Sequence, residues 1–120
     1  MVRTPWEQAL HELQKLQKRN IASVEYGKEF YHALTALVKR YLQARFNFAA
    51  CDKTDDELLA YLISVDFPLP LIELLRSIFN GSLYIKFANV QAVQEQIERD
   101  IAGYIALIQE TIPTENDKKD

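Results

Sequence analysis

The side chains that could carry catalysis or bind a metal ion are few and scattered along this sequence. His11 is followed directly by Glu12, but the second histidine of an H-E-x-x-H zinc motif is missing. At 100° per residue, His11 lies about 140° around its predicted helix from Trp6, and His32 lies about 200° from Phe30. Both imidazoles are therefore expected to point away from the core. We expect no metal site.

The single cysteine and the glycines do not form a recognisable site either. Cys51 stands beside Asp52, whose negative charge disfavours the reactive thiolate. One cysteine excludes an internal disulfide and favours a reducing compartment. The three glycines are too far apart for a phosphate-binding loop. The sequence therefore predicts a domain that is not an enzyme, with no catalytic residues and no cofactor.

Length and composition are those of one ordinary globular domain. The chain has 120 residues, of which 48% are hydrophobic and 26% are charged. Its net charge of −3 is unevenly distributed: residues 1–53 carry nine Lys or Arg and five Asp or Glu, whereas residues 54–120 carry five and twelve. Domains that bind duplex nucleic acid usually have a strongly basic face, so we do not expect nucleic acid as the partner. The charge of the basic half is compatible with two other kinds of partner, an acidic protein or an anionic membrane.

Helix-start signals and apolar periodicity predict five helices. Thr4 with Glu7, and Thr54 with Glu57, have the spacing of a capping box and open the first and third helices. Apolar residues at three- and four-residue steps predict the other helices, namely a second from about Val24 to Phe46, a fourth from Pro70 that Asn80-Gly81 closes, and a fifth from near Asn89 to Pro113. We predict a single compact all-α bundle over residues 1–113 and a polar, disordered tail at 114–120.

The segment SLYIKFA, residues 82–88, follows the predicted end of the fourth helix. A strand needs a partner, and no second β-like segment exists in the chain, so we predict a short extended link before the last helix. The alternation places three apolar residues in the core, Leu83, Ile85 and Phe87. Tyr84 and Lys86 then keep their polar groups at the surface, and both are candidate partner-binding residues.

Three cations of the second helix have different predicted roles. Lys39 falls opposite the apolar stripe and is predicted to be a solvated charge. Arg45 falls within the stripe near the end of the helix, where it can meet the last carbonyls or an acid of the third helix, such as Asp56 or Glu57. Arg40 lies on the flank of the stripe, where a structural and a partner-binding role are both open. It is the third candidate contact residue.

Three segments, taken in order, resemble a known bacterial family. They are KRYLQARF at 39–46, TDDELLAYL at 54–62 and KFA at 86–88. Together they are similar to the cytoplasmic domain of small membrane-anchored proteins of unknown function, related to the C-terminal part of BatD-like proteins. The sequence PWEQAL at 5–10 also resembles the first helix of that family. The resemblance extends from about residue 5 to about residue 108.

This resemblance implies an association rather than an activity. Genes of the family lie beside those for MoxR-type AAA ATPases and von Willebrand factor A domain proteins, which are therefore the implied protein partners. It further implies a cytoplasmic location at the inner face of the bacterial inner membrane, with membrane contact only through a span outside this chain. The expected function is a non-catalytic protein-interaction module, an accessory part of such an ATPase system. The family offers no catalytic residue to carry over.

Two other functions stay open on the residues alone. A structural oligomerisation domain would use an apolar patch left exposed by Phe46, Phe48 and Phe67. A helical nucleic-acid-binding module would use five cations, Lys15, Lys18, Arg19, Lys28 and Lys39. No recognition-helix motif accompanies these cations, so the protein-interaction module is the first expectation.

Overall fold

The described part of the chain forms an all-α bundle of five helices, as predicted. The computed structural model describes residues 3–18, 24–85 and 89–113. In chain order its elements are α1 (Pro5–Gln17), α2 (Val24–Phe46), a 3-10 helix (Ala50–Asp52), α3 (Asp55–Ser64), α4 (Leu69–Tyr84) and α5 (Val90–Thr111). The described part contains no strand, and none of its helices is both long enough and apolar enough to cross a membrane. The tail predicted at 114–120 lies outside the described residues.

Local sequence explains where α1 and α3 begin. The Thr4 hydroxyl oxygen accepts a hydrogen bond from the Glu7 backbone N–H at 3.2 Å, and Glu7 Oε1 accepts one from the Thr4 N–H at 3.0 Å. Thr54 and Glu57 repeat this arrangement at 3.2 and 2.9 Å. Each capping box satisfies N–H groups that a helix start leaves without an intrahelical partner. Both predicted starts are confirmed.

α2 is the spine of the bundle and packs against α1, α4 and α5, whereas α3 packs on α4. The buried face of α2 repeats at helical spacing and consists of Phe30, Tyr31, Leu34, Leu37, Val38, Tyr41 and Leu42. Full burial of one such side chain contributes about 1.5–3 kcal/mol. The ring of Tyr104 from α5 meets the ring of Tyr41 edge-on, with 6.5 Å between their centroids. These contacts hold the two longest helices together.

α4 continues past the predicted stop at Asn80-Gly81. It ends at Tyr84, and the N–H of Ile85 donates to the Gly81 carbonyl. Gly81 does not adopt the positive φ of a helix-ending glycine. A Cβ atom built on Gly81 would instead lie 2.1 Å from Cε1 of Tyr31. Glycine is needed here because the Tyr31 ring packs directly on the α4 backbone, and the predicted helix end was wrong.

The longer α4 changes the environment of the residues that follow the predicted stop. Ile85 is fully buried and Tyr84 is 61% exposed, as predicted. Leu83 was predicted to lie in the core but is 55% exposed, because helical geometry rather than strand-like alternation places it. The prediction of an extended link was therefore wrong for residues 82–84, which form the last turn of α4. Lys86 and Phe87 lie outside the described residues.

Two cations of α2 have partners that the sequence did not predict. The Lys39 side chain is only 16% exposed, and its Nζ lies 3.0 Å from Asp55 Oδ1 and donates to the Lys53 carbonyl at 2.9 Å. Its prediction as a solvated charge was wrong, because α3 begins beside that face of α2. Arg45 donates from Nε to the Thr111 carbonyl at 2.7 Å. It therefore caps the C-terminal end of α5 rather than pairing with an acid of α3.

α3 ends in a Schellman motif with an aspartate in the left-handed position. Asp66 has a φ of 59°, and the N–H groups of Phe67 and Asp66 donate to the carbonyls of Leu62 and Ile63 at 3.0 and 3.1 Å.

The left-handed backbone conformation at Asp66 costs a residue other than glycine about 1–2 kcal/mol. Glycine avoids this cost, but its greater conformational entropy stabilises the unfolded chain by about 0.4–1 kcal/mol. We expect Asp66→Gly to raise the free energy of unfolding by about 0.5 kcal/mol in a urea titration. Asp66→Ala should lower it, and a glycine variant no more stable than the alanine variant would contradict this account.

Candidate functional site

A groove runs along the junction of α1 and α2. Its volume is about 320 Å³, and its lining consists of Glu12, Lys15, Leu16, Ala33, Ala36, Leu37 and Arg40. A smaller cavity of about 50 Å³ continues past Arg40 towards Ala44. The groove exists because α2 presents the short side chains of Ala33 and Ala36 to α1, where longer side chains would fill the space. An apolar floor therefore lies open to solvent between polar walls.

Arg40 bridges the two helices that wall the groove. Its Nη2 donates to Glu12 Oε2 at 3.0 Å, and Gln8 Nε2 donates to Glu12 Oε1 at 2.9 Å. Partial burial acts to raise the pKa of Glu12, but the hydrogen bonds from Gln8 and Arg40 outweigh it and hold this pKa below its ordinary value. Glu12 is therefore ionised at neutral pH. The Arg40 side chain is 55% exposed, so solvent screens the pair and keeps its contribution to stability small.

The groove lies in electropositive surroundings. Partial desolvation lowers the pKa of His11 on α1, and the positive charges of Arg3, Lys15 and Lys18 lower it further, against the opposing effect of the Glu12 carboxylate. Lys15 also lines the groove, together with Arg40. Among the described residues of the lining, the one acidic side chain, Glu12, is already paired with Arg40. The groove therefore presents net positive charge beside an apolar floor.

Two of the three residues predicted to contact a partner are described, and they lie in different parts of the fold. Arg40 lies in the groove, whereas Tyr84 lies at the end of α4, three residues after Gly81, which contacts Tyr31. Tyr31 precedes Arg40 by nine positions, or about 13 Å along the axis of α2. Lys86 lies outside the described residues. The structure places Arg40 in the lining of the groove.

The described residues do not assemble a metal centre. No group of three or more His, Cys, Asp or Glu side chains among them could hold a metal ion. Cys51 is exposed on the 3-10 helix, and its N–H donates to Gln43 Oε1 at 3.0 Å. His32 is exposed on α2, as predicted. The chemistry that the groove itself can supply is apolar contact combined with charge pairing.

Asp100 is a polar residue that the sequence analysis missed. It is 4% exposed, and its Oδ2 and Oδ1 accept hydrogen bonds from the hydroxyls of Tyr31 at 2.5 Å and Ser77 at 2.6 Å. Burial raises the pKa of Tyr31, and the Asp100 carboxylate raises it further, so the phenol stays protonated and donates. Asp100 therefore ties α5 to α2 and α4. Its position three residues after Ile97 and four before Tyr104, inside an apolar stripe, is the signal that could have revealed it.

The fold and the groove define an all-α, five-helix domain with an open surface between its first two helices. Comparison with known proteins finds no match for the chain among protein-family models, curated proteins or solved structures. The resemblance to the BatD-related family therefore stays a prediction from the sequence.

Proposed function

We propose that this chain is a non-catalytic protein-interaction module and that the groove between α1 and α2 is its docking surface. The observation that carries this proposal is an apolar floor beside the half-exposed guanidinium of Arg40. Exposed apolar surface rimmed by polar groups is typical of protein-binding sites. Arginine is also among the residues that contribute most to binding energy at such sites.

An acidic helical segment of a partner protein is the occupant that this surface fits. The short side chains of Ala33 and Ala36 permit close approach of another helix, which would add a third helix to the α1–α2 pair. Lys15 and Arg40 give the lining its positive charge, so complementary charge on the segment is negative. A helix with one apolar stripe flanked by Glu or Asp meets both requirements.

Arg40 can bind such a segment at little cost to the fold. Only its Nη2 is engaged by Glu12 among the described residues, which leaves other N–H donors of the guanidinium for a carboxylate of the partner. The exposed pair with Glu12 contributes little to stability, so exchanging or sharing it is inexpensive. We assign Arg40 the role of the central charged contact.

The biological setting of the proposal rests on the family resemblance. It makes a MoxR-type AAA ATPase or a von Willebrand factor A domain protein the first partner to test. It also favours a cytoplasmic position at the inner face of the bacterial inner membrane. The uneven charge of the chain is compatible with this setting, because its basic half would face acidic protein or anionic lipid.

Filling the groove should abolish partner binding without unfolding the domain. Ala36→Arg places a long, charged side chain in the lining at an exposed position, so the fold should tolerate it. Ala60→Arg is the matched control, because Ala60 is an exposed alanine on α3, away from the groove. In calorimetric titrations with both candidate partners, we expect Ala36→Arg to weaken binding by about tenfold or more and Ala60→Arg to leave it unchanged.

A second pair of variants tests the contribution of charge separately from the shape of the groove. Arg40→Gln should weaken binding by about tenfold, whereas Arg76→Gln, which breaks an exposed pair with Glu73 on α4, should not. Absence of binding to either partner by a domain that circular dichroism shows to be folded would overturn the proposed function. Binding that Ala36→Arg leaves intact would retain the interaction module but exclude the groove.

A further inference from the structure

A second concave surface lies where the C-terminal ends of α2 and α5 meet the connection between α3 and α4. It is open to solvent and has a volume of about 390 Å³, and its apolar walls are Phe46, Val65, Phe67, Pro68, Leu71 and Ile112. This volume is within the usual range of binding pockets, about 300–1,000 Å³. The rings of Phe46 and Phe67 meet edge-on with 5.7 Å between their centroids and together form one aromatic wall of the cavity.

Large apolar side chains project beside this cavity. Leu69, the first residue of α4, is 68% exposed and directly follows Pro68 of the cavity wall. Val65, at the end of α3, is 52% exposed and lines the cavity itself. One face of the molecule therefore carries an apolar cavity and, next to it, the exposed side chain of Leu69.

The charges in the lining of this cavity include both signs. Arg45 lines the cavity together with Asp66 and Glu110. Its Nε is held by the Thr111 carbonyl, and its guanidinium stacks over the Phe46 ring at 4.7 Å. The Nη groups of Arg45 make no hydrogen bond within the described part of the chain. The described lining thus carries one cation, whose Nη groups can still donate, and two anions.

We propose that this face binds a second copy of the chain in a two-fold symmetric dimer. A two-fold axis brings the same patch of both copies into contact, so the patch must contain both partners of every contact pair. Leu69 of one copy then enters the cavity of the other, and Arg45 faces Asp66 or Glu110 across the axis. A partner with only one sign of charge would leave one of these groups unmatched. The apolar and the charged features of the face are both self-complementary.

Sedimentation equilibrium of the full chain tests this dimer directly. We expect a monomer–dimer equilibrium with a dissociation constant between about 10 µM and about 1 mM. Leu69→Glu should raise the dissociation constant by about tenfold or more. Leu83→Glu is the matched control, because Leu83 is a 55% exposed leucine near the other end of α4, and it should change the constant by less than about twofold. Both positions are exposed, so at concentrations where the parent is monomeric both variants should keep its thermal unfolding midpoint.

Isotope-filtered NMR of a mixed labelled and unlabelled sample locates the contact. We expect intermolecular signals between the Leu69 methyl groups and the Phe67 ring. A chain that stays monomeric up to about 1 mM would overturn the proposal. Equal weakening by Leu69→Glu and Leu83→Glu would also overturn it, as would dimerisation only after removal of residues 114–120, which would assign the face to the chain's own tail. Ala36→Arg should dimerise normally, so failure of the groove proposal and failure of the dimer are distinguishable.

Discussion

Gly81→Ala is expected to lower the free energy of unfolding by about 3 kcal/mol. A methyl group at this position would lie 2.1, 2.3 and 2.5 Å from three ring atoms of Tyr31. The ring is 1% exposed, and the Tyr31 hydroxyl is bound to Asp100, so it cannot move aside freely. Overpacking costs about 1–3 kcal/mol, and a weakened hydrogen bond to a charged group costs about 1.5–3 kcal/mol. The better helix propensity of alanine returns only about 1 kcal/mol.

Gly103→Ala is the control for this prediction, because it makes the same change in the middle of α5. A Cβ atom there would lie 3.0 Å from Cδ2 of Leu74, the end of a flexible and only half-buried side chain. A small rotation of Leu74 relieves the contact, so the gain in helix propensity and the cost of rearrangement nearly cancel. We expect a change within about 0.5 kcal/mol in urea titrations. Similar losses in the two variants would show that the Tyr31 ring is not the obstacle at Gly81.

The same glycine shows why the end of α4 could not be predicted from sequence. Asn80-Gly81 is a good helix-ending signal, because glycine readily takes the left-handed conformation. Here the absence of a side chain serves a different purpose, the close approach of Tyr31 from α2. The two residues are fifty positions apart, and no local pattern reports their contact. Tertiary packing decided between two uses of glycine that look identical in the sequence.

Features that depend on neighbours within a few residues were predicted well. The capping pairs Thr4 with Glu7 and Thr54 with Glu57 are each three residues apart, and helical spacing of apolar residues gave the core face of α2. Lys39 shows the limit of this approach. Its angle on α2 was known, but its ion pair with a residue at the start of α3 depends on how the two helices meet.

The candidate site could be predicted only in part for the same reason. The flank position of Arg40 on α2 marked it as a possible contact residue, and the structure places it in a groove. The groove depends on α1 lying over Ala33 and Ala36 and on Glu12 reaching Arg40 across 28 positions of sequence. Neither can be read from spacing along one helix. The helix faces are local properties, whereas a concave surface is a property of two helices together.

Asp100→Ala is expected to destabilise the domain by about 3 kcal/mol. The substitution leaves the Tyr31 and Ser77 hydroxyls without an acceptor at their present positions, each at a cost of about 1–3 kcal/mol. Removing a carboxylate that is 4% exposed offsets part of this loss, because its desolvation penalty disappears. Chemical denaturation of the variant and the parent measures the difference. A loss below about 1 kcal/mol would show that the carboxylate contributes little beyond what a packed alanine can replace.

Asp100→Asn separates the charge of this carboxylate from its shape. The amide keeps one oxygen acceptor, and its NH₂ group can donate to a hydroxyl that rotates to accept, so we expect a smaller loss of about 1 kcal/mol. A double-mutant cycle of Asp100→Ala with Tyr31→Phe measures the coupling between the two partners, which should be about 1–2 kcal/mol for a direct buried hydrogen bond. Strictly additive losses would mean that the two residues stabilise the bundle independently. Coupling of the expected size would identify the contact from α5 to α2 as the one that makes burial of Asp100 favourable.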